Sequence, residues 1–201
     1  MELLKFFRFS IFALAAITLV SCEDDDDDDD TPPAVNEEEV ITDLRLTFTD
    51  PDTQTSQTFT FSDPDGEGGN APTIDDIVIS DSTAYVVTIE VLDASNPNDV
   101  EDITEEIEEE DEEHQFFFIP GNGADDSVTI TYDANDVDDD GNPIGLSSSW
   151  NTFEPTTGGE TVRVVLRHEL DKNATGVSDG DITNAGGETD IDVTFNFTVT
   201  D

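Results

Sequence analysis

"IDVTFNFTVT", residues 191–200, decides the fold. Ile191, Val193, Phe195, Phe197 and Val199 alternate with Asp192, Thr194, Asn196 and Thr198, so one face is apolar and the other polar. Successive side chains of a strand point to opposite sides of a sheet, and a half-buried antiparallel strand needs this alternation. The same period recurs upstream. It runs through Leu44, Leu46 and Phe48, through Phe59 and Phe61, and through Val87, Ile89 and Val91. It returns in Val128, Ile130 and Tyr132, and again in Val162, Val164, Leu166, His168 and Leu170. "DPDGEGGNAP", "PGNGADD" and "NAGGET" fall in the gaps and supply residues suited to tight turns. No strand–helix–strand alternation is present, so the pattern predicts an all-β fold, an antiparallel Ig-like β-sandwich over residues 37–201.

One segment departs from the period. "VEDITEEIEEEDEEH", residues 100–114, is rich in helix formers, and Asp102 with Glu105 fits a capping box. Its only large apolar residues past Val100 are Ile103 and Ile107, which predicts a short surface helix between strands. Phe116, Phe117 and Phe118 stand in a row and put a ring on each face of a strand, so the second face needs a cover, either the helix or a partner. Trp150 and Phe153, in "SSSWNTFEP", read as residues of a polar loop. There they either plug the open end of the sandwich or offer rings to a sugar or a protein.

The chain begins with Lys5 and Arg8 ahead of the apolar run "IFALAAITLV", the layout of a secretory signal. Leu19, Val20 and Ser21 precede Cys22, the only cysteine, and this resembles a bacterial lipobox. The resemblance implies a lipoprotein signal peptide over 1–21 and lipid attachment at Cys22. "EDDDDDDD", residues 23–30, repels itself and stays hydrated, so 22–36 reads as the lipidated cysteine followed by a disordered acidic linker. Attachment to the outer membrane follows. Display on the cell surface is the expected orientation and the periplasmic face the alternative. With one cysteine, no disulfide supports the fold within the chain.

The formal net charge is −45, from 51 acids against 6 bases. No basic patch can neutralise phosphates, so nucleic acid is excluded as a partner. Docking of the folded part on anionic lipid is disfavoured for the same reason. Such a surface gathers cations instead.

"NEEEVITDLRLTFTD", "EEHQFFF", "LRHEL" and "GGETDIDVTF" together resemble a group of small flavobacterial (Bacteroidetes) lipoproteins, across the whole mature chain. Members of that group are often labelled as having a type 1 periplasmic-binding fold, and the label implies a two-lobed α/β protein that binds a small ligand. The strand-rich pattern here departs from that architecture, so the resemblance implies lipoprotein kinship and no particular site residue.

Two constellations carry candidate chemistry. Asp136, Asp138, Asp140 and Gly141 spell D-x-D-x-D-G, a spacing that can turn several oxygens toward calcium. Ser147 occupies the twelfth position, where an EF-hand has a bidentate glutamate, so this reads either as a calcium loop between strands or as a solvated hairpin loop. The second constellation is His114 and His168, each at the end of an apolar strand face. They are expected to be either hydrogen-bonded rim residues or, if their strands lie side by side, a shared zinc or copper site with Glu113 and Asp190 as further ligands. Strand alternation points Glu169 away from His168. No G-x-S-x-G, H-E-x-x-H or phosphate-cradling glycine loop occurs, so a non-enzymatic role is expected. The functional expectation is a lipid-anchored binding or accessory protein that captures a cation or small ligand, with an outer-membrane transporter as a candidate recipient. The alternative is a structural or adhesive sandwich rigidified by calcium.

Overall fold

Alternating strands need partners that bury their apolar faces, and the structure, a computed structural model, supplies them in two stacked sheets. It describes residues 40–66 and 68–201. The readings on the signal peptide, Cys22 and the acidic linker lie outside the described residues. In chain order the elements are β1 (Asp43–Asp50), β2 (Thr55–Ser62), β3 (Thr73–Ile74), β4 (Ile77–Ser80), β5 (Ala84–Asp93) and β6 (Glu101–Asp102). Then come α1 (Ile103–Glu109), β7 (His114–Gly121), β8 (Val128–Tyr132), β9 (Ser147–Thr152), β10 (Thr161–His168) and β11 (Glu188–Thr200), with single 3-10 turns at Ala124–Asp126 and Ile182–Asn184. The protein is an all-β sandwich with one short helix.

The larger sheet has the order β3-β2-β1-β5-β9-β8, with β6 paired to the end of β5. The smaller one has the order β4-β11-β10-β7. Ten residues of "IDVTFNFTVT" fall inside β11, and its inward residues from Ile191 to Val199 are buried, as the alternation predicts. One pairing departs from the antiparallel expectation: β4 runs parallel to β11, with Phe197 opposite Ile77 and Thr200 opposite Ser80. The chain leaves β4 at Ser80 and enters β5 in the opposite sheet at Ala84, and this sharp crossing fixes the direction of β4.

The interior is built around Trp150. Its ring makes edge contacts with Phe48 at 5.0 Å and Phe118 at 5.6 Å between centroids, while Phe48 meets Phe59 and Tyr85 in the same way. Trp150 therefore belongs to a central strand rather than to a polar loop, and only Phe153, half exposed, lies beyond the strand end. The inward residues of β9 are Ser148, Trp150 and Thr152, and two polar members out of three hid the period from hydropathy. Their polar atoms are satisfied internally. Trp150 Nε1 donates to Ser148 Oγ at 3.0 Å, and the Thr152 hydroxyl reaches the carbonyls of Ser80 and Thr83.

The run of three phenylalanines divides as expected, with Phe116 in the main core and Phe117 on the outer face of the smaller sheet. What covers Phe117 is the chain's own segment 170–185, through Leu170, Val177 and Ala185. Burying such a ring contributes about 2–3 kcal/mol. Gln115, on the same outer face, holds that segment by donating to the Val177 carbonyl at 2.8 Å.

Helix α1 closes one end of the sandwich. Asp102 caps it by accepting from the Thr104 amide, and Ile103 and Ile107 are buried in the main core, as the sequence predicts. Thr104 Oγ1 also accepts from the Val91 amide at 2.9 Å, which ties the helix to β5. The helix stops at Glu110, and a turn closed by the Glu113 amide on the Glu110 carbonyl delivers the chain into β7.

Candidate metal centre

Three strand ends and the end of α1 meet at one end of the smaller sheet. His114 opens β7, His168 closes β10, and the antiparallel register sets them directly opposite each other. Both lie on the inner face, continuous with Phe116 and Leu166, and both are buried. Their rings stack, with centroids 4.4 Å apart and planes 11° from parallel.

Asp190 reaches this pair through an irregularity. The pairing of β10 with β11 slips between Leu166 and Arg167, so that Ile191 opposes Leu166, Thr189 opposes Arg167 and Asp190 has no opposite residue. Strict alternation from the inward Ile191 would turn Asp190 outward. An extra residue of this kind locally twists its strand and re-aims a side chain. The Asp190 side chain is only 4% exposed, with one carboxylate oxygen 4.0 Å from Nε2 of His114 and the other 4.0 Å from Nδ1 of His168. It thus faces one nitrogen of each ring.

The remaining nitrogen of each ring faces the end of α1. His114 Nδ1 lies 3.2 Å from the Glu110 carbonyl oxygen and 4.0 Å from Oε2 of the same residue. A carbonyl only accepts, so this geometry puts the proton of neutral His114 on Nδ1. His168 Nε2 lies 3.5 Å from Glu113 Oε2. Donor atoms of Glu110, His114 and His168 all stand within 4.8 Å of one another, and so do those of Glu113, His168 and Glu169.

Glu169 departs from the outward direction that alternation predicts. Its φ is 50°, in the left-handed region, so the strand breaks at this residue and the carboxylate swings back beside His168. Such a conformation is uncommon for a residue with a side chain and costs about 1–2 kcal/mol. Gly187 buttresses the same place. A Cβ there would sit 2.1 Å from the His168 carbonyl oxygen, so only glycine lets the chain entering β11 pass this close.

Of the four residues expected to gather, His114, His168, Glu113 and Asp190 all do, with Asp190 on the side of the rings opposite Glu113. Glu110 escaped the sequence reading, and Glu169 was turned away from the pair by alternation. Their positions depend on where α1 ends and on one left-handed residue, and neither leaves a mark in hydropathy.

Of the two readings of the D-x-D-x-D-G loop, the geometry favours the hairpin loop joining β8 to β9. Asp136 Oδ2 accepts from the amides of Gly145 and Ser147, at 2.9 and 2.8 Å. Asp138 accepts from the amides of Asp140 and Asn142 and pairs with Lys172, whose Nζ lies 3.4 Å from Oδ2. Lys172 also donates to the carbonyls of Asp111 and Pro143. The carboxylates of Asp136, Asp138 and Asp140 therefore do not converge on a calcium position. Asp136 and Asp138 bond within the loop, and the charge that faces Asp138 is an ammonium. Burial raises the Asp136 carboxyl above its ordinary value, against the hydrogen bonds that lower it.

No family model, curated protein or solved structure matches the chain.

Two clefts among the described residues differ from a typical organic-ligand site. One, lined by Phe118, Ile130, Tyr132 and Gly180, encloses about 270 Å³. Another, between Asn122, Asp126, Glu154 and Glu160, encloses about 650 Å³ with polar walls and no aromatic side chain. Small-molecule sites combine a larger apolar wall with a few convergent polar groups.

Proposed function

We propose that this protein is a lipid-anchored cation-binding module of the bacterial envelope that holds one transition-metal ion, zinc or copper, between the end of α1 and the stacked histidines. The ligands in this reading are His114 through Nδ1, His168 through Nε2 and Glu110, with a fourth position open to water. Asp190 lies behind the rings, where it receives the N–H of the other nitrogen of each once the ion is bound. A carboxylate behind a ligating histidine fixes its tautomer and raises its basicity.

One observation carries the reading: a single buried carboxylate addresses one nitrogen of each ring and leaves the other two nitrogens turned toward glutamates. Imidazole with carboxylate is a donor set suited to zinc and copper. Around one tetrahedral ion with bonds of about 2.0–2.1 Å, neighbouring ligand atoms stand roughly 3.3 Å apart, so loading draws the cluster inward. Three consecutive glutamates, Glu108 to Glu110, end α1 at the negative pole of its dipole, where a cation is favoured. The anchor rests on the lipobox-like residues before Cys22, and mass spectrometry of protein from native membranes tests it.

Calorimetric titration with zinc, copper and calcium tests the centre. One ion of zinc or copper per chain is expected, with a melting temperature that rises with metal concentration. At free metal 100 times Kd, the stabilisation amounts to about 2.7 kcal/mol. The reading fails if neither zinc nor copper gives heat or a thermal shift, or if His168→Gln binds as the parent does.

A further inference from the structure

The two donor sets at this end of the sandwich share His168 but differ in access. Glu110, His114 and His168 form the inner set, in which both imidazoles are buried. Glu113 and Glu169 complete the outer set, and both are exposed, with 54% of the Glu113 side chain open to solvent against 6% for His168. Glu169 belongs to this set only because its backbone turns left-handed directly after His168. An ion arriving from water carries a hydration shell that a buried, two-imidazole centre cannot strip in one step.

We infer that Glu113, Glu169 and His168 form a solvent-facing acceptance site through which a divalent first-row cation reaches the buried pair, an inference that rests on the metal-binding reading above. The two glutamates replace water molecules while His168 Nε2 takes its place on the ion. With His168 still bound, Glu110 and His114 then replace Glu113 and Glu169. As it binds, His114 Nδ1 gives up its proton and its contact with the Glu110 carbonyl while Nε2, beside Asp190, takes one up from solvent, so the imidazole stays neutral. The ligands exchange one at a time, with no oxidation or reduction. Departure follows the same steps in reverse, so the acceptance site governs both rates more than the affinity.

The test uses the full chain in detergent, carrying Cys22→Ser to remove the thiol, and stopped-flow mixing with zinc against a chromophoric chelator. Glu113→Gln/Glu169→Gln is compared with Asp52→Asn/Asp125→Asn. The second pair changes the net charge equally, in the β1–β2 turn and the 3-10 turn after β7, away from the histidine end. The glutamate variant is expected to take up zinc about tenfold more slowly, the low end of what local charge does to association rates. It should release zinc more slowly by a similar factor and still bind one ion with nearly parental affinity. The asparagine control should stay close to the parent. Uptake by the glutamate variant no slower than by the control overturns the inference and leaves the inner centre standing. So does a loss of affinity at unchanged uptake, which would make the glutamates equilibrium ligands. A parent chain that takes up no zinc overturns the metal-binding reading itself.

Discussion

The imidazoles of His114 and His168 stack at 4.4 Å on directly opposed positions of β7 and β10. Their spacing is thus set by the register of a sheet rather than by a loop. Sites built on paired strands are held more tightly than sites on loops, and a metal centre depends on ligand positions to within about 0.5 Å. The carboxylates around the rings are less uniform in support. Asp190 rides on a bulge of β11, Glu110 ends a helix, and Glu113 lies in the turn between that helix and β7.

Replacing Asp190 by Asn tests whether the residue behind the rings matters to binding. The variant preserves size and leaves both imidazoles in place, but it removes the charge that stabilises the two N–H groups of a loaded centre. Zinc affinity is expected to fall 10- to 100-fold, the range typical of such supporting partners, with one ion still bound per chain. Unchanged affinity in a calorimetric titration would remove Asp190 from the centre.

The Lys172–Asp138 pair makes a prediction about stability and pH. Both side chains are nearly inaccessible, and Lys172 joins the D-x-D-x-D-G loop to the turn after α1 and to the segment that covers Phe117. Lys172→Met strands a buried carboxylate and should cost about 3–5 kcal/mol in urea unfolding, whereas Lys172→Met with Asp138→Asn should cost less. Burial alone would raise the Asp138 carboxyl, yet the Asn142 amide and the Lys172 ammonium hold it below its ordinary 3.8. A carboxyl held low in the folded state binds fewer protons there than when unfolded. Its contribution is therefore complete above pH 3.8 and disappears as pH falls through the depressed value. The stability gap between the parent and Asp138→Asn should be constant at neutral pH and shrink below 3.8. A gap that widens on acidification would contradict this assignment.

Strands whose inward positions are all apolar were legible, as in β11 and β1, because hydropathy and geometry share a period of two. The cap at Asp102 and the buried Ile103 and Ile107 were legible for an equally local reason. The parallel partner of β11 was not, since the pairing of Phe197 with Ile77 is decided by how the chain crosses between sheets. The cover over Phe117 comes from a segment without periodicity. Which of the two readings of the aspartate loop holds was not legible, because Lys172, the cation that faces Asp138, lies well downstream in sequence. The histidines, Glu113 and Asp190 were identifiable by type, but their meeting required the β7–β10 register and a bulge, and both are products of tertiary pairing.

Strand β9 offers the sharpest test of how a polar inward face is tolerated. Ser148 is 2% exposed, and its hydroxyl receives the indole N–H of Trp150, the largest fully buried side chain in the main core. Ser148→Ala keeps the size of the site but leaves that N–H buried without its acceptor, and should cost about 1–3 kcal/mol. Trp150→Phe alone frees the serine and opens space against Phe48 and Phe118, so it should cost about 3 kcal/mol, the lower end of losing a large aromatic from a core. When both are made together, the hydrogen-bond penalty of the serine change disappears, because no indole remains to be satisfied. The double variant should then be less destabilised than the sum of the singles by about 1 kcal/mol or more in a urea-unfolding cycle. Strict additivity would show that the Trp150–Ser148 bond contributes nothing, and that the strand owes its place to packing alone.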